Sequence, residues 1–154
     1  MTGQRTGSLR RGMAWALCAG WMALIFFMSA MPGDVSGEQS GTVVRILLAV
    51  HDAVLGPSGM SEQALSTLET LVRKAAHMAE YAVLALLYSH ALRVSGARHP
   101  ARLALAMSLS YAATDEFHQS FVGGRGPSAV DVMIDTAGAA LALAGKGIIK
   151  KLRR

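Results

Sequence analysis

Apolar positions along the chain fall into four long runs, separated by short polar or glycine- and proline-bearing stretches. The first, Met13 to Met31, carries no charge and is bracketed by Arg10-Arg11 before it and Pro32-Gly33 after it. The second, Ala75 to Leu92, is flanked by Arg73-Lys74 and Arg93, and holds His77, Glu80 and His90. The third starts near Leu103 and stays apolar to Ala113 before reading TDEFHQSFV. The fourth runs from Val130 to Ile149 and encloses Asp131, Asp135 and Lys146. A hydrocarbon core takes about 20 helical residues. The runs are therefore read as transmembrane helices over about 13–31, 75–92, 102–121 and 130–149, the third only if Asp115 to Gln119 lie inside the span. The first run is long for a secretory signal peptide and lacks a small-x-small cleavage site before Pro32.

Between the first two runs, positions 32–73 are predicted to hold two short amphipathic helices that lie at the bilayer surface and cover the bundle. Val43, Leu47, Val50 and Val54 recur at helical spacing behind Ser40-Gly41. Leu65, Leu68 and Val72 do the same behind Ser61, an N-cap candidate followed by Glu62. Gly56-Pro57-Ser58-Gly59 separates the two. The fold class expected is thus an all-α membrane protein, a four-transmembrane-helix bundle with a long outer loop. A basic N-terminus (1–12) and a basic tail (150–154) flank the membrane domain (13–149).

Composition agrees. Of 154 residues, 52% are hydrophobic and 16% charged, against about 25% charged in an average soluble domain. This excludes a disordered chain, and the charge is too sparse for a nucleic-acid-binding domain despite an isoelectric point of about 9.9. One cysteine, Cys18, excludes a disulfide framework and a cysteine-based zinc site. Arg5, Arg10, Arg11, Arg93, Arg98, Arg102, Lys146, Lys150, Lys151, Arg153 and Arg154, eleven of the fifteen basic residues, fall on the side that holds both termini. Cytoplasmic loops carry the Lys/Arg excess, so both termini are expected in the cytoplasm and the site described next at the outer face.

Three spans bring ionisable residues to one depth. Arg73, Lys74, His77 and Glu80 enter with span two, and Asp115, Glu116, His118 and Gln119 leave with span three. A Gly123-Gly124-Arg125-Gly126-Pro127-Ser128 loop follows, in which Ser128 is a natural N-cap, and Asp131 and Asp135 go back in with span four. At 1.5 Å per residue, Glu80 lies about 9 Å below Lys74 and Asp135 about 6 Å below Asp131. Unpaired charge in hydrocarbon is costly, so these groups are expected to face inward and partner one another, Asp115 with His118 and Gln119. His90, nearer the other end, is expected to satisfy a neighbouring helix.

Two uses of the cluster stay open. In one, Arg125 with Arg73 or Lys74 clamps a phosphate, His77, Glu80, Asp131 and Asp135 complete the ligand site, and Asp115, Glu116, His118 or Gln119 serves catalysis as acid, base or hydrogen-bonding group. The partner is then a membrane lipid or lipid-linked cell-wall precursor. In the other, the network is structural or relays protons or cations for transport. No organic cofactor is expected. The carboxylate excess suits a divalent cation, although no tight metal-ligand motif is present.

The stretches RKAAHMAEYAVLALL and DEFHQSFVGGRGPSAVDVMIDTAGAAL resemble the VanZ-like family of small bacterial membrane proteins, over about residues 26–145. The motif positions of that family correspond here to Arg73, Lys74, His77, Glu80, Asp115, Glu116, Gln119, Arg125, Asp131 and Asp135. Met28-Ser29-Ala30-Met31 stands where the family usually has Ser-Ser-Gln, so Ser29 is given no role. The resemblance implies a cell-envelope protein and a link to glycopeptide (teicoplanin) resistance, with which the family's name-giving member is associated.

Overall fold

A computed structural model describes residues 2–153, without the side chains of residues 2–5. Of the basic residues used for orientation, Arg154 and the Arg5 side chain lie outside the described residues. Five helices follow one another: α1 (Thr2–Ser29), α2 (Gly33–Leu55), α3 (Glu62–Val94), α4 (Pro100–Gln119) and α5 (Ala129–Leu152). Among the described residues there is no strand.

The all-helical architecture agrees with expectation; the region between the first two apolar runs does not. In place of two short amphipathic helices there is one 23-residue helix, α2, and a second amphipathic stretch that runs unbroken into α3. The reason is local. Arg73 and Lys74 are good helix formers, and no glycine or proline separates Leu65 from Ala75. Gly41 is a contact point: Ser36, Ser40, Gly41 and Val44 are the buried face of α2, and a Cβ on Gly41 would lie 2.9 Å from Glu69 Oε1 of α3. Nor does α2 cover the bundle, since among the helices it packs on α3 alone. The punctuation that does hold is the 56–61 turn, where Gly56 takes φ +89° and Ser61 Oγ accepts the Ala64 N–H at 3.3 Å.

The other ends follow sequence chemistry. α1 stops just before Pro32, the residue ahead of a proline being disfavoured in the α region, and at its start continues back through Arg11 and Arg10 to Thr2. α4 begins at Pro100 and passes Asp115 without a break. In α5, Ser128 Oγ accepts the Asp131 N–H at 3.2 Å, and Lys150 and Lys151 in the last turn complement the helix dipole.

α3 is the hub, packed by each of the other four helices. Tyr81, Leu84, Tyr88 and Ala91 meet Ala14, Cys18 and Ile25 of α1 and Ala104 and Ala112 of α4. Small residues let backbones approach: a Cβ on Gly138 of α5 would collide with the Met78 carbonyl of α3. Polar handles pin α1 in place. Trp21 Nε1 donates to the Glu80 carbonyl at 3.0 Å, and Tyr111 Oη donates to the Met22 carbonyl at 2.7 Å. Outward, the surface is apolar, with Leu17 and Phe27 of α1 and Met133 and Leu141 of α5 all more than half exposed. α1 and α5 are long and apolar enough to cross a membrane, with most of their apolar stretch on the outside of the bundle.

Candidate functional site

Where α3, α4 and α5 meet the 120–128 loop, the chain encloses a cavity of about 250 Å³. α3 supplies Thr70, Arg73, Lys74 and His77 to its wall, and α4 supplies Glu116 and Gln119. The loop supplies Gly124, Arg125 and Gly126, and α5 supplies Asp131, Ile134 and Asp135. The spacing explains the set. Thr70, Arg73, Lys74 and His77 share one face of α3 at i, i+3, i+4 and i+7, and Asp131 and Asp135 share one face of α5 at i and i+4.

The loop places Arg125 from above. Gly124 takes φ +74°, a conformation natural to glycine, and the Arg125 N–H closes a turn on the Val122 carbonyl at 3.2 Å. The start of α2 locks this turn, because the Gly33 N–H donates to the Gly123 carbonyl at 3.1 Å. Gly33 lies so close to Gly124 that a side chain there would overlap the Gly124 carbonyl.

Two pairings hold the frame. Lys74 Nζ forms an ion pair with Asp131, joining α3 to α5. Glu116 Oε2 accepts the Ser128 N–H at 2.8 Å, joining α4 to the loop. Behind the cavity lies a buried knot from two helices. Ser29 Oγ of α1 donates to Asp115 Oδ2 at 2.7 Å, and Gln119 Nε2 donates to Ser29 Oγ at 2.5 Å. Gln119 Nε2 also reaches Asp115 Oδ2 at 3.3 Å. His77 Nδ1 and Glu80 Oε2 approach to 3.3 Å without hydrogen-bond alignment.

Arg73 and Arg125 differ from the rest. Among the described residues neither guanidinium has an ion-pair partner within 4.0 Å, and the Nε of each is buried without a hydrogen bond. They are near enough for like-charge repulsion. Burial first, and then Arg73, push the Arg125 guanidinium below its ordinary pKa, while Asp115, Glu116 and Glu80 push it up. An arginine stays protonated regardless, so the cavity holds two cationic forks with free donors.

The sequence-predicted residues therefore divide. Arg73, Lys74, His77, Glu116, Gln119, Arg125, Asp131 and Asp135 line one cavity. Asp115 stands behind it in the Ser29 knot. Glu80 faces a second cavity of about 190 Å³ between α1, α2 and α3. His118 is elsewhere: it does not pair with Asp115, and its ring lies 4.3 Å from that of Phe26 on α1. His90 is exposed rather than set against another helix, whereas Lys146 Nζ donates to Ser89 Oγ of α3 at 3.2 Å. Ser29 is the residue that sequence reasoning passed over. Its signal was a lone hydroxyl at the C-terminal end of an apolar helix, level with Asp115 in the four-span reading. Among the described residues, no group of three or more His, Cys, Asp or Glu is placed to hold a metal ion.

A family model described as VanZ/LLP1 matches residues 14–149 of the chain. No curated protein and no solved structure matches it.

Proposed function

The chain belongs to the VanZ/LLP1 family, and on that premise we propose that it is a multi-pass protein of the bacterial cytoplasmic membrane that binds an amphiphilic or lipid-linked phosphate at its outer face. The observation that carries this reading is the pair Arg73 and Arg125, two guanidiniums lining one cavity, each with a buried donor that has no partner. Two like charges that line one cavity, each with a buried Nε, are stabilised by an anion between them. The planar fork of arginine suits phosphate oxygens. Lys74, already paired with Asp131, shapes the rim.

In this reading α1, α3, α4 and α5 cross the bilayer with both termini cytoplasmic, as the Lys/Arg distribution supports. α3 has 33 residues, about 50 Å of helix at 1.5 Å per residue. That exceeds a hydrocarbon core of about 30 Å, so its first turns stand outside together with α2. Of the acid–base candidates Asp115, Glu116 and His118, Glu116 lines the cavity; tied to the loop that carries Arg125, it is our assignment for proton transfer to or from the bound anion. Engagement of a lipid-linked cell-wall precursor at this site is the route we propose to any glycopeptide tolerance.

Native mass spectrometry of the detergent-purified protein, wild type beside Arg125→Ala, tests the reading. A bound phosphate-bearing lipid in the wild type, lost in the variant at unchanged thermal stability, is expected. Ligand-free spectra for both with equal stability would refute it. The buried Ser29–Asp115–Gln119 knot and the Lys74–Asp131 pair favour a second, purely structural reading. Ligand-free spectra with a large loss of stability in Arg125→Ala would select that one.

A further inference from the structure

The second cavity shares a wall with the first. Arg73, His77 and Arg125 line both, so the two are compartments either side of one cationic partition. The compartments differ in chemistry. In the second, Met28 of α1, Val43 of α2, and Val72 and Ala76 of α3 provide apolar walls. Its α2 side also carries Ser36, Gln39 and Ser40, and α3 adds Glu80 beside His77 at the partition. Ser40 Oγ donates to the Ser36 carbonyl at 3.0 Å, and the Gln39 amide is turned to Met31 Sδ at 3.5 Å. Beside these polar groups, Met28, Val43, Val72 and Ala76 present a hydrocarbon strip to an occupant. Its volume of about 190 Å³ accommodates on the order of six groups the size of a water, at about 30 Å³ each.

We infer that this groove receives the first carbons of an alkyl or prenyl chain whose phosphate sits on Arg73 and Arg125, so the ligand is an amphiphile gripped at both head and tail. The inference rests on the phosphate reading above and specifies the ligand class of that same site. Continuity carries it: the partition places the anion's two cations at the mouth of the groove. A chain leaving the phosphate there runs between α2 and α3 and out past Val43 to the apolar outer face of α2, where Ile46, Leu47 and Val50 are exposed.

The test uses the full-length protein in lipid nanodiscs, with empty nanodiscs as reference. Inorganic phosphate and butyl, hexyl and octyl phosphate are titrated against wild type, Ala76→Phe, Val43→Trp and Arg125→Ala. Positions 76 and 43 are open to the groove and exposed, so bulk there fills the groove without loading the core. For wild type, affinity should rise by up to about fourfold per buried methylene, the transfer value for a CH₂, and level off once the groove is full. The two filling variants should show a flat series while keeping wild-type affinity for inorganic phosphate. Arg125→Ala should weaken every member of the series. A chain-length increase that survives both filling variants overturns the tail assignment. A wild type that binds all four phosphates equally does so too, and makes free phosphate the ligand. Failure of every phosphate to bind overturns the head reading and this one with it.

Discussion

Ser29 and Asp115 show how a single hydroxyl is committed by its surroundings. Ser29 is fully buried, donates to Asp115 and accepts from Gln119. It bridges α1 to α4, as the Tyr111–Met22 hydrogen bond and the His118–Phe26 ring contact also do. Removing one partner from a buried hydrogen-bonded set costs about 1–3 kcal/mol, because the groups left behind stay desolvated. Ser29→Ala should therefore lower unfolding stability by about that amount in a detergent thermal or denaturant titration. A variant as stable as wild type would show that Asp115 and Gln119 satisfy each other. Most of the candidate site was legible at this scale. A charged side chain in an apolar run has few places to go, so Arg73, Lys74, His77, Glu116, Arg125, Asp131 and Asp135 could be grouped from depth alone. His118 could not be separated from them, because the choice between the cavity and the Phe26 ring is a matter of which way the last turn of α4 faces.

At the scale of elements, the informative departure is the α2–α3 hairpin. Amphipathic periodicity located its apolar positions, yet a period measures which face is buried and says little about where a helix stops. Termination came from Pro32, the 56–61 turn and the Ser61 cap, and a helix-compatible Arg73-Lys74 let α3 run on. The consequence reaches the proposed site: α2 begins directly against the turn that carries Arg125. Gly33→Ala should force the 123–124 backbone away and displace the guanidinium. Loss of one charge-assisted hydrogen bond, about 1.5–3 kcal/mol, corresponds to roughly tenfold or more weaker phosphate binding, read by titration with inorganic phosphate. Gly37→Ala is the matched control. Its Cβ would meet Arg73 Nη2 at 3.9 Å, an ordinary contact, and affinity should not change. Equal affinities for Gly33→Ala and wild type would remove α2 from any part in positioning the loop.

At the scale of the whole molecule, large apolar side chains of α1 and α5 face out while Asp115, Glu116 and Asp135 are buried. This arrangement suits a hydrocarbon surround, which tolerates Leu17, Phe27 and Leu141 on the surface and penalises unpaired charge there. It makes the proposed topology testable with single cysteines in a Cys18→Ala background. In intact cells, Met60→Cys and Phe121→Cys should react with a membrane-impermeant maleimide, and His99→Cys should react only after permeabilisation. Labelling of His99→Cys from outside at the same rate would overturn the orientation.

The sequence by itself determined the helical class, the places of the apolar runs, the caps at Ser61 and Ser128 and the set of charged residues that had to share an interior. Each of these follows from local propensity or from the cost of charge in hydrocarbon, and needs no knowledge of neighbours. Tertiary structure decided which of those residues face the cavity, that Ser29 ties α1 to Asp115, that α2 locks the Arg125 loop through Gly33, and that two compartments meet at Arg73, His77 and Arg125. These are decided by helix rotation and close backbone approach, which depend on how the surfaces of different helices fit and leave no period in the chain.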